Sequence, residues 1–183
     1  MKVYLFPTEL EAAIFREQMP EAEVVISGVG QAATAAAFAN IVHVYGMDAC
    51  YVLAGLAGSY GDAVAIGEVV EVVSERCAEL PERFVEEYRV APQTMLRGVS
   101  SNTVSRGDKT LKGAEIENME GAVLFAIAKE MRLCVVQIRA ISNRVGESFE
   151  MWHINEALEA LASELKKFDN GEQSCKIGDI ALS

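Results

Sequence analysis

Residues 116–143 read IENMEGAVLFAIAKEMRLCVVQIRAISN, and the spacing predicts a helix followed by a buried strand. Asn118 suits the cap of the helix MEGAVLFAIAKEM, whose Val123, Ile127 and Met131 recur at helical spacing. Glu120 opens that helix, and the strand LCVVQIRAIS ends in Ser142 and Asn143. Polar groups therefore stand at the open ends of both elements, where a parallel α/β sheet keeps its active site. Glu120 also has a plain structural account, since a carboxylate near a helix N-terminus interacts favourably with the helix dipole. Arg139 is harder to dismiss: within an apolar strand an unpaired charge is costly, so it calls for a carboxylate, either Glu11 or Glu120.

Upstream of this stretch, KVYLF (2–6) reads as a first strand and ELEAAIFREQM (9–19) as a first helix. Thr8 and Glu11 have the T-x-x-E spacing of a capping box, which accounts for Glu11 structurally. The same carboxylate would also stand where the first strand delivers its helix into the crevice at the strand ends. A second strand over 23–27 runs into GVGQAATAAAFANIVHVYG, where Gly28 and Gly30 precede an alanine-rich helix. The third glycine of a dinucleotide fingerprint is replaced by Ala33. His43 on that helix reads as a packed or surface residue.

A third strand, 49–54, leads into the glycine-rich loop GLAGSYG, whose backbone can line a pocket without side chains. EVVEVVS (68–74) reads as a strand, 76–93 as irregular or partly helical, LRGVSSNTVS (96–105) as a strand, and RGDKTLKG (106–113) as an exposed loop. A last helix is expected from Asn155 to Phe168 with Ala157, Leu158, Leu161 and Leu165 inward. The expectation is one α/β domain over 1–168, three-layered with a mostly parallel twisted central sheet, and an unpatterned tail over 169–183.

With 16 basic and 27 acidic residues the net charge is −11, which disfavours nucleic acid and anionic membrane as partners. No apolar run approaches ~20 residues and no signal peptide is evident, so a cytoplasmic protein is expected. The four cysteines, Cys50, Cys77, Cys134 and Cys175, lie far apart, and His43 and His153 are the only histidines. Free thiols and no metal are expected.

Four of these places together resemble the nucleoside phosphorylase and nucleosidase superfamily: the turn after strand one with Glu11, GVGQAATA, AGLAGS, and above all NMEGAV followed by IRAISN. The ending ISNRVG with WHINEALEAL is most similar to futalosine hydrolases of the menaquinone pathway. In methylthioadenosine/S-adenosylhomocysteine nucleosidases the strand normally ends in ISD. The chain departs from the family in length, since the hairpin that often follows helix one is missing.

The resemblance implies roles residue by residue. Glu120 would grip the ribose hydroxyls, beside the backbone of Met119, and Glu11 would position or deprotonate the attacking water. Arg139 would hold the charge of that region in order. Gly55, Leu56, Ala57 and Gly58 would line the sugar and water site, with Val104 also against the substrate. Asn143 would serve the leaving group, and Trp152 or Phe149 would stack on the base, although a Trp leading into a helix is more often a packing residue.

The implied reaction is hydrolysis of a purine nucleoside's N-glycosidic bond without cofactor or metal. AGLAGSYG carries no arginine for a phosphate cradle. The NH2 group of Asn143 matches the adjacent acceptors O6 and N7 of a 6-oxopurine, pointing to hypoxanthine release from futalosine. Two alternatives stay open: a methylthioadenosine/S-adenosylhomocysteine nucleosidase, and a catalytically inactive purine-nucleoside-binding protein. A homo-oligomer, dimer or larger, is expected.

Overall fold

The computed structural model describes residues 1–107, 110–111 and 113–171, and the backbone of 181–182. Most of the expected tail, and positions 108, 109 and 112 of the expected loop, lie outside the described residues. In chain order the elements are β1 (Lys2–Phe6), α1 (Glu9–Gln18), β2 (Glu23–Ile26), α2 (Gln31–Tyr45), β3 (Cys50–Ser59), β4 (Val69–Cys77), β5 (Glu87–Arg89), β6 (Arg97–Thr103), β7 (Ile116–Asn118), α3 (Gly121–Met131), β8 (Cys134–Arg144), α4 (Ile154–Asp169) and β9 (Ala181–Leu182).

The centre of the sheet follows from strands that are apolar on both faces, the pattern of a parallel sheet covered by helices. β1 pairs in parallel with β2 and β3, and β3 pairs in parallel with β8 along its whole length. Val3, Leu5, Tyr51, Leu53 and Val135 face α2 and α3, packing on Phe38, Ile41, Leu124 and Phe125. The alternate residues Tyr4, Phe6, Val52, Ala54, Val136 and Ile138 face α1 and α4, packing on Phe15, Leu158, Leu161 and Leu165. Each such large side chain contributes about 1.5–3 kcal/mol on burial. The three layers and the inward face of the last helix match the sequence reading.

The sheet is mixed rather than mostly parallel. β4 runs antiparallel to β8, β7 antiparallel to β3, and β5 antiparallel to both β4 and β9. A parallel return needs a long crossover, usually a helix. Residues 60–68, between β3 and β4, contain only turns, so the chain simply reverses. With β4 and β6 parallel and β6 and β7 parallel, the pairings β3, β8, β4, β6, β7 and back to β3 close a ring.

Other expectations shift locally. GLAGS is not a loop but the second half of β3, with a register irregularity at Ala57/Gly58. Ile116–Asn118 is a strand, and α3 starts only at Gly121. The buried face of α3 carries Leu124, Phe125 and Ala128, while Val123, Ile127 and Met131 are half-buried. Since 121–128 is apolar throughout, periodicity there cannot choose a face. The end of the expected tail supplies β9 on β5. Cys50 and Cys77 take part in no disulfide, whereas Cys134 is disulfide-bonded, which corrects the expectation of free thiols; linear spacing carries no information on which cysteines meet. Cys175 lies outside the described residues. Among the described residues no helix is long and apolar enough to cross a membrane.

Candidate active site

A cavity of about 500 Å³ opens at the carboxyl ends of β1, β3 and β8. Of the residues expected to form the site, Glu11, Leu56, Ala57, Gly58, Val104, Met119, Glu120, Asn143 and Trp152 line it. Gly55 and Arg139 are not in its lining. They lie directly beneath it, where a Cβ on Gly55 would stand 2.8 Å from Glu11 Oε1 and 2.9 Å from Arg139 Nη1. Glycine is thus required so that β3 can approach both charged groups.

Thr8 caps α1 by accepting the Glu11 N–H at 3.2 Å, which is half of a capping box. The other half differs. Glu11 Oε2 takes the Thr8 hydroxyl at 2.7 Å and Oε1 takes the backbone N–H of Leu56 at 2.9 Å. The carboxylate therefore bridges α1 to β3 and faces the cavity, and each oxygen keeps a lone pair for water.

Glu120 is buried, 3% exposed. Its Oε2 pairs with Arg139 Nη2 at 3.1 Å, and its Oε1 accepts the N–H of Gly30 at 3.0 Å. Arg139 thus takes Glu120, not Glu11, as its carboxylate. It donates also to Asn118 Oδ1 at 3.0 Å and Leu56 O at 3.4 Å, while its Nε has no partner among the described residues. Gly30, at φ 85°, caps α2 in a conformation that favours glycine. Glu120 consequently occupies the positive end of α2, the position where an anionic ligand would otherwise be drawn.

Asn143 has its amide orientation fixed. Ser142 donates to its Oδ1 at 2.9 Å and Nδ2 donates to Arg144 O at 3.0 Å, leaving one N–H for a ligand. Gly58 lies against this amide, where a Cβ would be 3.1 Å from Nδ2. Trp152 and Phe149 stand with ring centroids 5.3 Å apart, both on the cavity wall.

Three groups were not given a functional role in the sequence. The Thr8 hydroxyl reads as a cap, and the backbone at Gly28 and Gly30 as one that closely approaches either a ligand anion or the packed helix. Asn118 read as a helix cap, and its Oδ1 does accept the N–H groups of Glu120 and Gly121 at 2.8 and 2.7 Å. From β7, however, the same amide reaches the fully buried Glu75 on β4 through Nδ2 at 2.6 Å. Burial holds the Glu75 carboxyl above its usual range, against the opposing pull of the Asn118 hydrogen bond and the Arg139 charge. A strand pairing two elements away is what a linear reading could not supply.

No protein-family model and no curated protein sequence matches the chain. Solved structures do match in fold. The 5′-methylthioadenosine nucleosidase of Arabidopsis thaliana superposes with TM-score 0.78 at 16% identity, covering 96% of this chain and 97% of that one. The futalosine hydrolase of Helicobacter pylori gives 0.78 at 12%, covering 92% and 97%. The 5′-methylthioadenosine/S-adenosylhomocysteine nucleosidase of Campylobacter jejuni gives 0.75 at 16%, covering 92% and 98%. The chain has the fold of these nucleosidases, which belong to the nucleoside phosphorylase and nucleosidase superfamily.

Proposed function

We propose that this cavity hydrolyses the N-glycosidic bond of a purine nucleoside. The observation that carries the reading is the convergence of two differently anchored carboxylates, Glu11 and Glu120, with the Asn143 amide on one cavity at the strand ends. Glu120, braced by Arg139 and Gly30, accepts the ribose hydroxyls and faces the positive charge that develops on the sugar. Glu11 accepts a proton from water as its oxygen bonds to C1′ and the bond from C1′ to the base nitrogen breaks. Asn143 hydrogen-bonds the departing base, which takes its proton from solvent. Leu56, Ala57, Gly58, Met119 and Val104 shape the sugar site, Gly55 and Arg139 support it from below, and Trp152 with Phe149 offers an aromatic wall to the base.

Hydrolysis rather than phosphorolysis is supported by Glu120 at the N-terminus of α2, since a carboxylate there repels phosphate. The remaining N–H of Asn143 suits the O6 acceptor of hypoxanthine, where adenine places a donor. On that basis futalosine is the substrate, with hypoxanthine and dehypoxanthine futalosine as products, in menaquinone biosynthesis. The apolar wall of Leu10, Val29, Phe149 and Ile154 favours a second reading, methylthioadenosine, because it suits a thioether substituent equally well.

The chain acts as a homo-oligomer, supported by Leu10, Val29 and Phe149, apolar residues that line the cavity yet stay more than half exposed. The deciding experiment is incubation with futalosine, inosine and methylthioadenosine, with and without phosphate, and detection of free base. Hypoxanthine from futalosine at a rate indifferent to phosphate is expected. Binding without release of base from any nucleoside would leave only a nucleoside-binding protein.

A further inference from the structure

The structure assigns a positioning role to Asn118 and Glu75, which together fix the Arg139–Glu120 pair from inside the ring of strands. This rests on the nucleosidase reading above and extends it below the cavity floor. Asn118 Oδ1 accepts from the Glu120 N–H, the Gly121 N–H and Arg139 Nη2, at 2.8, 2.7 and 3.0 Å. A single oxygen thereby sets both the backbone from which Glu120 projects and the guanidinium that holds its carboxylate. The oxygen points the right way because the other end of the amide is committed. Nδ2 donates to Glu75 Oε2 at 2.6 Å and to Ser101 Oγ at 2.8 Å.

Glu75 is in turn locked. Its Oε2 also accepts from Gln137 Nε2 at 3.2 Å, and its Oε1 from the Arg76 N–H at 3.1 Å. Gly121 leaves room for it, since a Cβ there would lie 2.2 Å from Oε2. Both residues are buried, Glu75 at 0% and Asn118 at 5% exposure. A buried carboxyl is costly to keep, and here it fixes the polarity of an amide whose reversal would turn N–H groups toward Arg139 and the start of α3.

Exchange of donor and acceptor tests this. Asn118→Asp keeps the Oδ1 acceptor but sets a second carboxyl oxygen against Glu75. Its kcat/KM on the best ribonucleoside should fall about tenfold or more. Adding Glu75→Gln restores the contact with the polarity reversed, and the double variant should recover to within about threefold of the parent. A general packing role would not give such rescue. The Asn118→Asp defect should also shrink on the matching 2′-deoxynucleoside, which offers Glu120 one hydroxyl fewer. Loss without rescue, or an equal loss on both sugars, overturns the positioning role while leaving the nucleosidase reading intact. A parent protein that cleaves no nucleoside overturns both.

Discussion

The backbone N–H of Gly30 donates to Oε1 of Glu120 at 3.0 Å, so that the protein's own carboxylate sits at the N-terminus of α2. An anion-binding position is thereby filled from within, and phosphate should not accelerate base release. Rates with and without phosphate at constant ionic strength check this; saturable activation would refute it.

Glu120→Gln should lower turnover by at least ~100-fold and weaken nucleoside binding, because the buried Arg139 loses its charged partner. Steady-state kinetics and calorimetric titration of a nucleoside separate the two effects. Binding left unchanged would mean that Glu120 does not touch the sugar.

Glu11→Gln should also cost about 100-fold in turnover but spare binding, since the proposed role of the residue is on water and not on the nucleoside. Should turnover persist while the melting temperature drops, Glu11 is a helix-capping residue and nothing more. Gly55→Ala offers a check without changing either carboxylate. The added methyl group meets Glu11 and Arg139 at under 3 Å, so it should destabilise the fold by about 1–3 kcal/mol and lower activity.

Asn143→Asp reverses what the departing base meets. Hypoxanthine release should fall, because an ionised carboxylate replaces the remaining N–H against an acceptor of the base. The ratio of kcat/KM for matched hypoxanthine and adenine nucleosides should shift toward adenine. A constant ratio would remove the physical basis for preferring futalosine to methylthioadenosine.

Glu75 predicts a pH dependence of stability. Its folded carboxyl is raised by burial, with the Arg139 charge opposing. Above about pH 4.5 the unfolded chain releases this proton while the folded one retains it, so its contribution to stability declines as pH rises toward the folded value. Glu75→Gln lacks that decline. The melting temperature of the variant minus that of the parent should therefore grow as pH rises above about 4.5, and a flat difference would contradict the raised carboxyl.

What the sequence disclosed was local. Strands apolar on both faces named the centre of the sheet, and Glu11, Glu120 and Asn143 were legible because each stands at an element boundary where polar residues interrupt an apolar run. Arg139 announced its need for a carboxylate, but two candidates satisfied that need equally until the fold placed Glu120 at 3.1 Å. The short β7 was misread because IEN adjoins a strong helix pattern and three residues carry no period. Glu75 gave no signal, since it lies just past the expected strand 68–74 and is instead enclosed by a ring whose members are distant in sequence.

That ring also sets the order in which the molecule comes into being. β3, β4 and β6 are made early, yet β7 closes the circuit against Gly58 and Ser59 and β8 runs beside β3 for its whole length. During synthesis the growing chain therefore carries Glu75 without Asn118 and Gln137 until those strands are made. The contacts that complete it join residues far apart along the chain, the kind that form slowly. A nascent chain halted before β7 has α1, α2 and the first six strands but neither Asn118 nor Glu120, so the polar arrangement of the cavity arrives late.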